Sequence, residues 1–106
     1  LEEQIPIEIG NLSKLILLDL SMNQFNGEIP TVIANLSNLQ YLNLGSNYLN
    51  GAIPLEIGNL SYLYGLYLES NELTGDIPQS VCNLIETNNL DINDILEGNN
   101  LNNTCD

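Results

Sequence analysis

Apolar residues return along the chain in a cadence that neither a helix nor a long strand produces. Counted from residue 12, they fall at positions 1, 4, 7, 9, 14, 18 and 22 of a unit that repeats every 24 residues. In residues 12–35 these are Leu12, Leu15, Leu18, Leu20, Phe25, Ile29 and Ile33. In 36–59 they are Leu36, Leu39, Leu42, Leu44, Leu49, Ile53 and Ile57, and in 60–83 Leu60, Leu63, Leu66, Leu68, Leu73, Ile77 and Val81. Positions 7 and 9 have the period-2 spacing of a short strand with one buried face. The other intervals match neither 2 nor 3.6 residues. They predict a coil in which every turn sends its apolar side chains inward, onto the copies above and below.

The polar positions punctuate the same unit. Pro6, Pro30, Pro54 and Pro78 are the four prolines, each 24 residues from the next. Proline at that place predicts the start of a 3-10 or helical turn, where its missing N–H is tolerated. Asn23, Asn47 and Asn71 occupy position 12. An amide there carries both donor and acceptor, so it suits the backbone of a tight turn and predicts a stacked asparagine ladder. Gly27, Gly51 and Gly75 follow at position 16, which predicts a close approach or a positive φ.

The consensus LxxLxxLxLxxNxLxGxIPxxIxN resembles the plant-type class of leucine-rich repeat. That class occurs in plant receptor-kinase ectodomains and polygalacturonase-inhibiting proteins, and similar repeats occur in secreted bacterial and algal proteins. The resemblance implies a right-handed solenoid with a short parallel β-sheet on its concave face, a 3-10 and loop convex side, and a C-terminal cap. The GxIP element implies a second short strand per repeat. Residues 1–83 divide into a partial first repeat, 1–11, and full repeats 12–35, 36–59 and 60–83, leaving 84–106 as a degenerate capping repeat. Leu84, Leu90 and Ile92 keep positions 1, 7 and 9, whereas the run Leu96–Leu101 matches Leu44–Leu49 displaced by four residues. A four-residue insertion accounts for that, and a cap is what an open solenoid end requires.

Cys82 and Cys105 bracket the cap. In the proteins resembled, paired cysteines commonly pin the terminal cap, which implies a Cys82–Cys105 disulfide and an oxidising compartment. The alternative is two thiols, with Cys82 filling a small apolar site. Asn11, Asn35, Asn59 and Asn102 each begin an N-x-Ser/Thr sequon and are candidate N-glycosylation sites. The first three recur because the repeat itself spells NLS, so a purely structural asparagine explains them as well. The chain opens on Leu1 and not on Met, which reads as a processed or excised fragment of a longer repeat protein.

Composition narrows the function. One basic residue, Lys14, stands against 14 acidic ones among 106, for a net charge of −13. Phosphate recognition needs clustered cations, so nucleic acid and anionic membrane surfaces are excluded as partners. No apolar run approaches the ~20 residues that span a bilayer. Histidine is absent, which removes Ser/His/Asp and Cys/His catalysis and any Cys/His metal site. Carboxylate pairs such as Glu69 and Glu72 lack a closed pocket to separate their pKa values. Residues 91–100 are acidic without calcium-loop spacing and read as a solvated cap. The expectation is a non-enzyme without catalytic residues, metal or cofactor.

The remaining chemistry lies on outward positions of the strand, which alternate with the buried leucines. These place Asp19, Met22 and Gln24 in the first full copy, and Tyr41, Asn43 and Tyr48 in the second. In the third they place Tyr67, Glu69 and Glu72, with Tyr64 just outside the set. Stacking predicts Tyr41, Tyr48 and Tyr67 on one face with acids around them. Tyrosine offers large contact area with a polar tip and is enriched in binding hot spots, although it also simply suits strands. In the resembled receptors and inhibitors this surface meets partners. The leading expectation is therefore an extracellular or cell-surface module that binds a protein or peptide, a basic one included. Alternatives are end-to-end self-assembly into a filament or surface layer, and, more weakly, ice or surface binding.

Overall fold

The structure, a computed structural model, describes residues 3–105; Leu1 and Glu2 of the partial repeat and Asp106 of the cap lie outside it. Each 24-residue unit makes one turn of a coil with three sides. The first side is a short strand at positions 6–8: β1 (Leu17–Asp19), β3 (Tyr41–Asn43) and β5 (Gly65–Tyr67), parallel in the order β1-β3-β5. The second side is the strand of the GxIP element: β2 (Asn26–Glu28), β4 (Tyr48–Gly51) and β6 (Glu72–Asp76), extended by β7 (Asn100–Asn102) from the cap. The third side is a single 3-10 turn after Pro6, Pro30 and Pro54: η1 (Ile7–Asn11), η2 (Thr31–Asn35) and η3 (Leu55–Asn59).

The register is set by the repeat. Leu18, Leu42 and Leu66 stand opposite one another, as do Asp19, Asn43 and Tyr67. Equal spacing therefore converts a sequence position into a row across the sheet. All seven apolar positions of repeats 36–59 and 60–83 are buried, because each layer has a neighbour on both sides. The first full copy departs from the expected pattern. Leu12 is 50% exposed and Leu15, Leu20 and Phe25 are only partly covered, since fewer described residues stand against that layer.

Two backbone features complete each turn. Gly27, Gly51 and Gly75 have φ of 76°, 76° and 89°, a left-handed conformation that a side chain resists. Less visible in the sequence, position 11 is also left-handed: Met22, Ser46 and Ser70 have φ of 56°, 57° and 58°. Their N–H groups bond the Gly45, Glu69 and Glu97 carbonyls of the following turn, so the inter-repeat ladder continues beyond the strand.

At the C-terminal end a helix replaces the 3-10 turn. α1 (Gln79–Thr87) starts after Pro78, buries Val81, Cys82 and Leu84, and packs against η3. It runs through the repeat boundary expected between Asn83 and Leu84, so the last repeat and the cap share one element. α2 (Asn93–Leu96) stands where the next strand would be. Leu68 N–H bonds Asp94 O and Ser70 N–H bonds Glu97 O, which fixes the phase. Ile95, fully buried, takes the place of Leu68 in this turn; Ile92, which unbroken counting assigns to it, is only partly buried. The four extra residues are absorbed before and within α2. Cys82 and Cys105 are joined as a disulfide, with Cα atoms 5.4 Å apart, which ties α1 to the last residues of the cap.

Candidate functional site

Position 12 shows what the asparagines do. Asn47 Oδ1 accepts the N–H of Phe25 at 3.1 Å, and its Nδ2 donates to the carbonyls of Leu20, Leu44 and Gly45 at 3.0–3.3 Å. Asn71 repeats the set one turn on, with Leu49 N–H, Leu44 O, Leu68 O and Glu69 O. Asn99 is the next rung, accepting Leu73 N–H and donating to Leu68 and Ile95 carbonyls. The signal for Asn99 was present in the displaced match of Leu96–Leu101 to Leu44–Leu49. At the other end Asn23 is exposed and, among the described residues, bonds carbonyls of its own turn, Leu20 and Ser21.

The ladder holds successive turns in register, and the outward side chains stand on the rows it fixes. Gly65 lies opposite Tyr41 in the register. A Cβ on Gly65 would come within 3.0 Å of Tyr67 Cε2 and 3.1 Å of Tyr41 Cδ2. Its absence lets the two rings meet over the strand, with centroids 5.4 Å apart at 44°. Tyr64 joins from the residue before β5, its ring 6.1 Å from that of Tyr41 at 50°. Tilted pairs at these distances are favourable aromatic contacts. Asn43 donates Nδ2–H to Tyr41 Oη at 3.3 Å while its Oδ1 accepts Gly45 N–H at 2.9 Å, so the Tyr41 hydroxyl is held by an amide that is itself anchored.

The third tyrosine differs from the grouping expected from sequence. Tyr48 opens β4, on the second sheet, and Glu72 opens β6 beside it. Gln24 holds the same position in the first full copy. The turn at position 11 carries the chain off the first sheet before these residues, so Tyr64 stands in the cluster and Tyr48 does not. Met22 is 81% exposed on that left-handed turn. Asp19 lies on β1, in one row with Asn43 and Tyr67. Its carboxylate is held below the usual value by the Ser21 hydroxyl at 2.6 Å and the Ser21 N–H at 3.0 Å.

Acidic groups edge the rings. Glu69 packs its carboxyl over Gly45, where its Oε1 is buried and accepts no hydrogen bond from a described residue. Asp94 and Glu97 continue the rows of Tyr67 and Glu69 into the cap. Sequence reasoning missed both as members of the face because the insertion hides their phase. Burial raises the pKa of Asp94, and the neighbouring Asp91 and Glu97 charges add to it. Tyr67 is raised by burial first, then by Asp94, Tyr41, Glu69 and Tyr64. The sequon residues Asn11, Asn35, Asn59 and Asn102 are all exposed, the first three at the ends of η1, η2 and η3. The Asn102 amide donates to Asp76 at 3.1 Å.

Comparison with known proteins places this arrangement. A family model described as the EGF-like domain-containing protein ComC LRR domain matches residues 1–90. No curated protein sequence matches the chain. Similar solved structures include the BIR3–SERK2 complex from Arabidopsis thaliana, at 36% identity and TM-score 0.83 over 94% of this chain and 50% of that one. A plant ice-binding protein is similar at 37% identity and TM-score 0.82, over 92% of this chain and 30% of that one. The plant peptide hormone receptor RGFR1 in complex with RGF2 is similar at 42% identity and TM-score 0.73, over 76% and 13%. The chain thus spans half or less of the length of these structures.

Proposed function

This chain belongs to the leucine-rich repeat family, in the ComC-type LRR domain group, and from that premise we propose that it is a non-enzymatic binding module acting outside the cell. Its working surface is the β1-β3-β5 sheet, and its partner is a protein or peptide. The observation that carries the reading is the Tyr41–Tyr64–Tyr67 cluster. Three large rings share one solvent-facing patch on a sheet whose other side is committed to the core. Such rings supply contact area at small entropic cost. Receptor structures similar to this chain include complexes with a protein and with a peptide hormone, and the disulfide fits an oxidising compartment.

The test is capture from the source's extracellular material with the native chain and with a Tyr41/Tyr64/Tyr67→Ser variant of unchanged melting temperature. A partner retained by the native chain and lost by the variant supports the reading. Equal retention by both refutes it.

A second reading, end-to-end assembly, is favoured by the incomplete cover of Leu12, Leu15, Leu20 and Phe25, the core positions of the first full copy. Sedimentation of the chain as a monomer at high concentration would exclude it. Ice binding draws on one similar structure, but the row Asp19, Asn43, Tyr67 is chemically uneven, where a lattice-matching surface needs repetition.

A further inference from the structure

We infer that the tyrosine cluster is a seat for a cationic side chain of the partner, an arginine, held between the ring faces and the carboxylates of Glu69 and Asp94. The inference rests on the concave-face reading above and names the chemistry that face selects. Three observations carry it. The rings of Tyr41 and Tyr67 meet at 44° and those of Tyr41 and Tyr64 at 50°. Tyr64 is 65% exposed, so the cluster opens to solvent, and a guanidinium laid over an aromatic face is attracted by its quadrupole. Beside the rings, Glu69 Oε1 is buried without a donor from any described residue. That oxygen is closed to solvent, whereas Glu69 as a whole is only half-buried, and a planar guanidinium stacked on a ring can donate at its edge to the open side of the carboxylate. Third, the charge is one-signed. The chain carries 14 acidic groups and Lys14 alone as a basic residue, and no described residue supplies a cation to Glu69 or Asp94. The raised pKa of Asp94 has the same origin, burial among neighbouring acids.

Lysine fits less well, because its compact ammonium is more strongly hydrated and lacks the planar fork. A free metal ion fits poorly, since among the described residues no three metal-ligating side chains converge.

The probe is a blocked pentapeptide with one central arginine, beside the same peptide with citrulline, which keeps the shape and loses the charge. The chain has no tryptophan and five tyrosines, so ring resonances in NMR spectra report binding directly. Saturable shifts are expected at Tyr41, Tyr64 and Tyr67 with the arginine peptide and none with citrulline. Glu69→Gln and Tyr67→Leu are expected to weaken binding by roughly fivefold or more, the size of one exposed cation–π or charge-assisted contact. Glu72→Gln removes the same charge on the other sheet and should leave affinity within about twofold, which separates a built seat from diffuse attraction. Equal binding of citrulline, equal weakening by Glu72→Gln, or no saturable shift overturns the inference. If the arginine peptide fails while the serine variant still loses its captured partner, cation recognition falls and the concave-face reading stands. If both tests fail, both fall together.

Discussion

At the scale of single residues, the asparagines are the most demanding part of the repeat. Asn71 is 8% exposed, and its amide serves Leu49 N–H together with the carbonyls of Leu44, Leu68 and Glu69. Removing it strands backbone groups in an apolar layer. An unsatisfied buried group costs about 1–3 kcal/mol, so Asn71→Ala is expected to lose about 3 kcal/mol. Asn23→Ala, at an exposed site with two bonds to its own turn, should lose about 1 kcal/mol or less. Denaturant unfolding of the two variants checks this, and equal losses would contradict the ladder as the source of the difference. Asn23, Asn47 and Asn71 look alike in sequence, yet their energetic weights differ because burial differs.

At the scale of elements, the cap shows how a fold can break its own period. The Cys82–Cys105 bond closes a loop of 23 residues of sequence separation that runs from α1 to just beyond β7. Asn88 Nδ2 bonds Ser61 O and Leu63 O, and Thr104 Oγ1–H bonds Ile77 O at 3.1 Å. The cap is thus stitched to the last repeat by backbone acceptors that would otherwise face water. Closing a loop of this size restricts the unfolded chain by about 3 kcal/mol in the loop-entropy model. A Cys82→Ser/Cys105→Ser variant should lose about that much, and hydrogen exchange should accelerate first in α1, α2 and β7. Exchange that accelerates evenly along the chain would show that the cap is no separate cooperative unit. The cysteines and the need for a cap were legible in the sequence. The helix across residues 83 and 84 was not, because Pro78 opens a 3-10 turn and an α-helix by the same signal.

At the scale of the whole molecule, a charge of −13 on 106 residues sets the response to solution conditions. Folding concentrates that charge, so added salt should raise the melting temperature by screening it. Two carboxylates act oppositely as pH falls. The folded pKa of Asp94 lies above 3.8, so its charge costs stability at neutral pH, and that cost disappears as pH falls through the folded pKa. The folded pKa of Asp19 lies below 3.8, so its contribution is present above 3.8 and is lost as pH falls through the folded value. Stability is therefore expected to rise on mild acidification from neutral pH and to decline only in stronger acid. Thermal melts across pH, with Asp94→Asn flattening the rise, check the assignment. A maximum at neutral pH in the native chain would contradict it.

The period of 24 residues determined a great deal without any coordinates: a coil of parallel turns, a short strand about positions 7 and 9, a proline-led turn, and an inner layer of leucine and isoleucine. Such features follow from local spacing, and spacing is what a sequence records. The tertiary structure alone decided which outward side chains share a surface. Tyr48 sits six positions after Leu42 and Tyr64 two before Leu66; a left-handed turn at position 11 sends the first to another sheet, and a missing Cβ at Gly65 leaves room for rings to gather. Likewise Asp94 and Glu97 join the face only because backbone hydrogen bonds re-phase the chain after an insertion. Burial at Glu69 and Asp94 has the same origin. Glu69 packs over Gly45 of the preceding turn and the helix carrying Asp94 packs on β5, at distances along the chain that no local pattern specifies.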